Sequence, residues 1–139
     1  MSERRLLDQL DNDAVSGLEL AIEMQKKASS VGFDWTNIDG VFDKIHEELN
    51  ELQHEVKQGT DKAKCIDEFG DILFACCNLA RHLDIDPKTA IDSTNRKFYR
   101  RFNYVETRVV STGKTLEGTE LSILDSLWDE AKQLEKRHE

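Results

Sequence analysis

Little in this chain favours an extended, cross-linked or membrane-spanning fold. A single proline and seven glycines in 139 residues supply few helix breaks. No segment alternates apolar and polar residues with the period of two that a half-buried strand requires. No apolar run reaches the roughly 20 residues needed to cross a bilayer as a helix. The opening Met-Ser-Glu-Arg-Arg leads into a charged stretch, not the apolar segment of a secretory signal, so a soluble, cytoplasmic protein with no membrane partner is expected. Cys65, Cys76 and Cys77 are odd in number and two are adjacent, which argues against a disulfide framework and for a reducing compartment. They read as packing residues in or beside one apolar helix. Cations are scarce: 19 Lys and Arg against 28 Asp and Glu give a net charge of −9. That balance suits a nucleic-acid polymer poorly, because its phosphates are held by clustered Lys and Arg. A Gly-rich phosphate loop and a Ser-His-Asp arrangement are both missing, and His46, His54, His82 and His138 lack zinc-ligand spacing.

What remains is helix. With 38% hydrophobic content, the chain can build one core and is too short for two ordinary domains. Residues 1–139 are therefore expected to form a single all-α domain, with 1–13 as a flexible N-terminal segment. Val15, Leu18, Ile22 and Met24 place a helix over 14–30, and residues 31–40, with Gly32, Asn37 and Gly40, read as a loop. Val41, Ile45, Leu49, Leu52 and Val56 form the apolar face of a helix over 41–57 that ends near Gly59. Residues 62–83 make the most apolar helix, expected at the centre of the structure. Asp86-Pro87 is a cap and first-turn pair that opens a long helix to Ser111, stopped by Gly113, and 120–136 make the last one. The expected architecture is a bundle of four to five helices around a central acidic hairpin.

The acids carry the chemistry. Glu47-Glu48-Leu49-Asn50-Glu51 and Glu68-Phe69-Gly70-Asp71 each hold two acids three residues apart, Glu48 with Glu51 and Glu68 with Asp71, which project from one helix face. The stretch between Glu51 and Glu68 lets one helix end, turn near Gln58-Gly59-Thr60-Asp61, and a second return antiparallel. Four carboxylates then converge, and like charges that close require a cation among them. A hard, all-oxygen ligand set selects Mg²⁺, with Mn²⁺ as a substitute. The competing reading is a set of solvated acidic faces, common in a chain with 34% charged residues. Two features weigh against it. Gly70 lies inside an apolar helix, where glycine costs roughly 0.8–1 kcal/mol relative to alanine, so a close neighbour is expected there. Asp71 runs into Ile72-Leu73-Phe74-Ala75-Cys76-Cys77, so its charge is expected against a buried stretch. Glu48, Glu51, Glu68 and Asp71 are the candidate metal ligands. Glu47 has no acid three residues away and is read as the catalytic group that orients or deprotonates water, or equally as a fifth ligand.

The order Glu-Glu-x-x-Glu followed by Glu-x-x-Asp resembles the signature of the all-α nucleoside triphosphate pyrophosphohydrolases, and within that superfamily the chain resembles the MazG proteins. The likeness extends to Met24-Gln25-Lys26-Lys27 with Val31-Gly32-Phe33-Asp34-Trp35, to Glu68 through Ala75, to Asn78-Leu79-Ala80-Arg81-His82-Leu83 and to Asn95 through Phe102. It runs from about residue 20 to the last helix and is to the second of the two tandem copies that many MazG proteins carry. The resemblance implies Mg²⁺-dependent hydrolysis of nucleoside triphosphates to a monophosphate and pyrophosphate by attack at the α-phosphorus, in a homodimer or dimer of dimers. Metal ions would reconcile such a substrate with the negative net charge.

The resemblance also implies that Lys97 and Arg101, four residues apart on the fourth helix, bind phosphates, as a point charge and a planar fork are suited to do. Arg100 points about a quarter-turn away and is a weaker candidate. Lys64, Lys132 and Lys26 are further candidates for phosphate contacts. Trp35 and Trp128 are candidates to stack on a base, each against the alternative of a tryptophan that anchors a loop or helix. Apolar surface at Ile72, Leu73, Phe74, Leu79 and Leu83 supplies a physical motive for dimerisation. Two rival functions stand beside this one: a pyrimidine-selective dUTPase- or dCTPase-like pyrophosphatase, and a non-enzymatic helical interaction module.

Overall fold

The computed structural model describes residues 5–10 and 17–137. Among these there is no strand, and the elements in order are a 3-10 turn Leu6–Gln9 and five helices: α1 (Gly17–Ser30), α2 (Ile38–Gln58), α3 (Lys62–His82), α4 (Pro87–Ser111) and α5 (Leu121–Lys136). No helix is long and apolar enough to cross a membrane. The protein is all-α, as expected. Of the N-terminal segment read as flexible, Leu6–Gln9 forms the 3-10 turn. Residues 1–4 and 11–13 of that segment and the first residues of the helix expected from 14 lie outside the described residues.

The chain divides into two compact units, one up to Lys88 and one from Thr89. The first unit is built on the α2–α3 hairpin, with α1 packed on α3. Its helix ends follow local chemistry. Asn37 caps α2, its side chain accepting from the Asp39 amide at 2.8 Å, and this starts α2 at Ile38, three residues earlier than the apolar pattern indicates. Gly59, at φ +129°, closes α2 in a backbone conformation that L side chains rarely adopt. Asp61 then caps α3 by accepting from the Lys64 amide. A three-residue connection makes the two helices antiparallel neighbours.

The core of this unit is small: Ala21 of α1, Val41 of α2, and Ile72, Ala75 and Cys77 of α3. The Gln25 side-chain amide of α1 donates to the Phe74 carbonyl of α3 at 3.0 Å. Of the three cysteines only Cys77 is buried. In the second unit, α4 buries Val105 and Val109 while α5 buries Ala131. Phe98 lies 5.3 Å from Trp128 and 5.9 Å from Phe102, centroid to centroid. Arg101 holds Glu135 through two nitrogens at 2.9 and 3.0 Å, and Arg108 holds Glu130 at 2.8 Å. Asp86 accepts from the Lys88 amide at 3.1 Å, the cap that the Asp-Pro pair announces.

The expectation of a close neighbour at Gly70 is overturned. A Cβ built at Gly70 meets nothing within 4 Å, because the residue faces outward from α3. Gly40 is instead a close-approach glycine, where a Cβ would fall 2.8 Å from the Trp35 ring. Gly70→Ala is therefore expected to stabilise the protein by about 0.5–1 kcal/mol through helix propensity alone. Urea unfolding followed by circular dichroism checks this, and a loss of stability would mean that something does pack against that position.

Candidate active site

The hairpin brings Glu48, Glu68 and Asp71 together, with one carboxylate oxygen of each lying within 4.8 Å of the others. Glu48 is 5% exposed. Glu48 Oε2 and Glu68 Oε2 are buried without a hydrogen-bond partner. An orphaned, buried carboxylate oxygen is costly unless a cation or donor meets it, so these residues fit a divalent metal and the oxygen-only set suits a hard ion. Glu51 adjoins the cluster. Its hydrogen bond with Glu68 and the negative charge of Glu48 push its carboxyl up to about 7. Asp71 is raised as well, chiefly by desolvation and then by the charge of Glu48. Three of the four acids expected to converge thus place ligand oxygens within 4.8 Å of one another, and Glu51 is not among them.

Two cavities adjoin the cluster. Glu47, Asn50, Glu51 and Glu68, with His46 and His54, line an open basin of about 620 Å³. Glu48 and Asp71 line a second, mostly apolar cavity of about 650 Å³, walled by Ala28, Phe33, Trp35, Val41 and Phe74. That volume suits a small organic ligand. Gln25 also lines it, with Oε1 buried and unpartnered. Trp35 is 48% exposed, with its ring set close against Gly40.

One residue that pattern reasoning passed over sits between cluster and cavity. Lys44 Nζ lies 3.0 Å from Glu48 Oε1 and 3.6 Å from Glu47 Oε1, and the residue lines the apolar cavity. Its signal was available, since Lys44 precedes Glu48 by four residues, the spacing of a helical ion pair.

The loop that carries Trp35 is tied down by Asp34. Asp34 Oδ1 receives Arg81 Nη2 at 2.6 Å, contacts His82 Nε2 at 3.1 Å and accepts from the Trp35 amide at 2.8 Å, while Oδ2 accepts from Ser29 at 2.8 Å. Lys26 pairs with Glu23 instead, and Lys64 is an exposed residue in the first turn of α3.

Lys97, Arg101, Trp128 and Lys132 belong to the second unit. There Arg101 is held by Glu135 and its guanidinium carbon lies 5.8 Å from the Trp128 ring centroid. Arg100 also reaches Glu135, at 3.5 Å, so the two neighbouring arginines share a partner despite their angular separation.

Fold and site together define a class: an all-α domain whose paired helices carry a carboxylate cluster fit for a divalent ion. Comparison with known proteins makes the assignment specific. Residues 38–106 match the MazG nucleotide pyrophosphohydrolase domain, and the chain belongs to that family. It is 40% identical over 123 residues to the nucleoside triphosphate pyrophosphohydrolase of Escherichia coli K12, covering 88% of this chain and 47% of that protein. It is 41% identical over 121 residues to the nucleoside triphosphate pyrophosphohydrolase/pyrophosphatase MazG of Thermotoga maritima, covering 87% and 46%. A 70-residue stretch is 49% identical to the uncharacterized protein YabN of Bacillus subtilis, covering 50% of this chain and 14% of that protein. The chain spans about half the length of the first two relatives.

The Asp34 contacts have a measurable signature. Hydrogen bonding to Arg81, outweighing desolvation, holds this carboxyl well below its ordinary value of 3.8. A carboxyl depressed in the folded state contributes stability that is complete above its unfolded pKa and is lost as pH falls through the folded one. Asp34→Asn is expected to melt below wild type at pH 7, with the gap narrowing as pH drops below about 4. Thermal melts across that range check it, and a gap that ignores pH would remove Asp34 as its source.

Proposed function

We propose that the chain hydrolyses nucleoside triphosphates, with ribose or deoxyribose, to the monophosphate and pyrophosphate in a Mg²⁺-dependent reaction. The observation that carries this reading is the pair of orphaned, buried oxygens on Glu48 and Glu68, in a cluster beside a cavity of nucleoside size. Family membership supports the substrate class, as do the names of the relatives. An interaction module would leave those two oxygens with nothing to meet.

Glu48, Glu68 and Asp71 hold the ion, with Glu51 as the fourth ligand. Mn²⁺ substitutes, since it shares the preference for oxygen. When bound, Mg²⁺ would offset the polyphosphate charge and lower the pKa of a water poised to attack the α-phosphorus. Glu47, on the open-basin side, orients that water or takes its proton. The α–β anhydride bond breaks and pyrophosphate leaves. The base enters the apolar cavity and stacks on Trp35, where Gln25 offers an acceptor to an N–H on its edge. Family resemblance supports Lys97, Arg101, Lys64 and Lys132 as phosphate contacts and Trp128 as a second aromatic for the base. In this reading residues 1–139 act as one domain, in the cytoplasm.

We also infer a homodimer, or a dimer of such dimers. Phe42, Leu49 and Val56 recur every seven residues along α2, and Ile66, Phe69 and Leu73 stand on α3, all between 42 and 63% exposed. A second copy of the chain covers such a stripe in a two-fold interface. Light scattering at working concentration should give a dimer or tetramer mass, and a monomer overturns this part of the proposal.

With Mg²⁺, the purified protein is expected to release pyrophosphate, not orthophosphate, from several nucleoside triphosphates. Orthophosphate alone, or turnover that survives excess chelator, would overturn the chemistry. Asp71→Asn and Glu51→Gln should abolish turnover while leaving the metal-free protein as stable as wild type or more so, because each removes a repelling charge. Mg²⁺ should raise the melting temperature of wild type by mass action and that of the variants less. Equal shifts in all three would take these residues out of the metal site.

A further inference from the structure

We propose that Asp34 is a positioning residue of the apolar cavity: its carboxylate fixes the loop between α1 and α2 so that the Trp35 indole is in place before a ligand arrives. The inference rests on the pyrophosphohydrolase reading above, in which Trp35 stacks on the base, and adds to it a residue that acts through that ring.

The backbone of the loop is set from both ends, and Asp34 stands in the gap. α1 closes through Gly32, at φ +89°, with the Phe33 amide donating to the Ala28 carbonyl and the Gly32 amide to the Ser29 carbonyl, each at 3.0 Å. That closure reaches only as far as Phe33. α2 is capped separately by Asn37. Between the two, among the described residues, the Asp34 carboxylate supplies the hold. Its Oδ1 accepts from the Trp35 amide at 2.8 Å and from Arg81 Nη2 at 2.6 Å, and its Oδ2 accepts from the Ser29 hydroxyl at 2.8 Å. One side chain thus joins the end of α1, the loop and the last turn of α3.

The far side of this tie is itself fixed. Asn78 Oδ1 accepts from Arg81 Nη2 at 2.8 Å and from Nε at 3.1 Å, and both residues line the cavity. The Asp34 and Arg81 side chains are 21% and 13% exposed, so the pair is better shielded from water than an ordinary surface bridge. The ring has need of such a tie. Phe33 and Trp35 are both exposed, so apolar burial alone does little to order this loop. A side chain that must be ordered when ligand binds costs affinity, and an indole already held avoids that cost. The alternative is a clamp that holds α1 to α3 for stability and leaves the ring indifferent.

A double-mutant cycle separates the two. At saturating Mg²⁺, a non-hydrolysable nucleoside triphosphate analogue should bind Asp34→Ala roughly fivefold or more weakly than wild type by calorimetry. Adding Asp34→Ala to Trp35→Ala should change the affinity by less than about twofold, because the ring through which the carboxylate acts is gone. The ligand-free protein gives an independent signature. The chain has two tryptophans, so Trp128→Phe leaves Trp35 as the sole fluorophore of its kind, and Asp34→Ala in that background should lower its residual anisotropy. Equal losses from Asp34→Ala with and without the indole, or an indole as immobile without the carboxylate as with it, overturn the inference. Circular dichroism verifies folding, and Asp34→Asn carries the same cycle should the alanine variant fail to fold. If wild type does not bind the analogue, the pyrophosphohydrolase reading itself fails. If wild type binds it and Trp35→Ala binds it as tightly, stacking on Trp35 falls and the role of Asp34 falls with it. If Trp35→Ala binds it weakly and the two losses add, the Asp34 inference alone fails.

Discussion

Mutual repulsion among carboxylates is the constraint around which the hairpin is organised. Two unit charges 4.8 Å apart, the outer limit for Glu48, Glu68 and Asp71, repel by about 3 kcal/mol at an effective dielectric near 20. That is a sizeable fraction of the 5–15 kcal/mol typical of a whole domain. The local chemistry answers it in three ways. Asp71 and Glu51 shift toward their neutral forms, Glu51 through its hydrogen bond with Glu68. Lys44 is drawn onto Glu48. Burial of Val41 on α2 and of Ile72 on α3 stabilises the fold that holds the acids. Two oxygens still have no partner, and a cation is what would complete the set.

The helix that supplies Glu68 and Asp71 also supplies Phe74, Ala75, Asn78 and Arg81 to the apolar cavity. Cluster and cavity are therefore parts of one rigid element, offset by about one to three helical turns. Arg81 in turn fixes Asp34 and, through the adjacent residue, the Trp35 loop. Gly40 completes the arrangement by leaving room for the indole against the first turn of α2. A ligand held between ion and aromatic ring would thus be positioned by α3 at both ends, which is the preorganisation that a hydrolytic site needs.

How much of this the sequence discloses depends on the range of the interaction. Acids three residues apart, a turn near Asp61 and a cap at Asp86 are all local, and the structure has them where the pattern indicates. The early start of α2 was hidden because Ile38 and Gly40 resemble loop while the signal lay in Asn37, whose side chain caps the helix. Gly70 was misread for a different reason. A glycine in an apolar helix implies a close neighbour only if it faces one, and Gly70 stands beside exposed Phe69 and Leu73. Contacts between residues far apart in sequence, such as Arg81 with Asp34 and Gln25 with Phe74, leave no local trace at all. They decide the shape of the cavity, which is why its lining could not be read in advance.

The acidic and apolar faces of the hairpin bear on one another. Like charges repel across α2 and α3 at the cluster, while Phe42, Leu49, Ile66 and Phe69 stand exposed on the same two helices. A second copy that covered those apolar residues would hold the helices together, and an ion in the cluster would remove the repulsion between them. Two events that favour the same helix spacing favour each other, and linkage requires the coupling to be reciprocal. In the proposed dimer, metal binding would therefore tighten self-association, and self-association would raise metal affinity by the same factor, with no residue shared between the two sites.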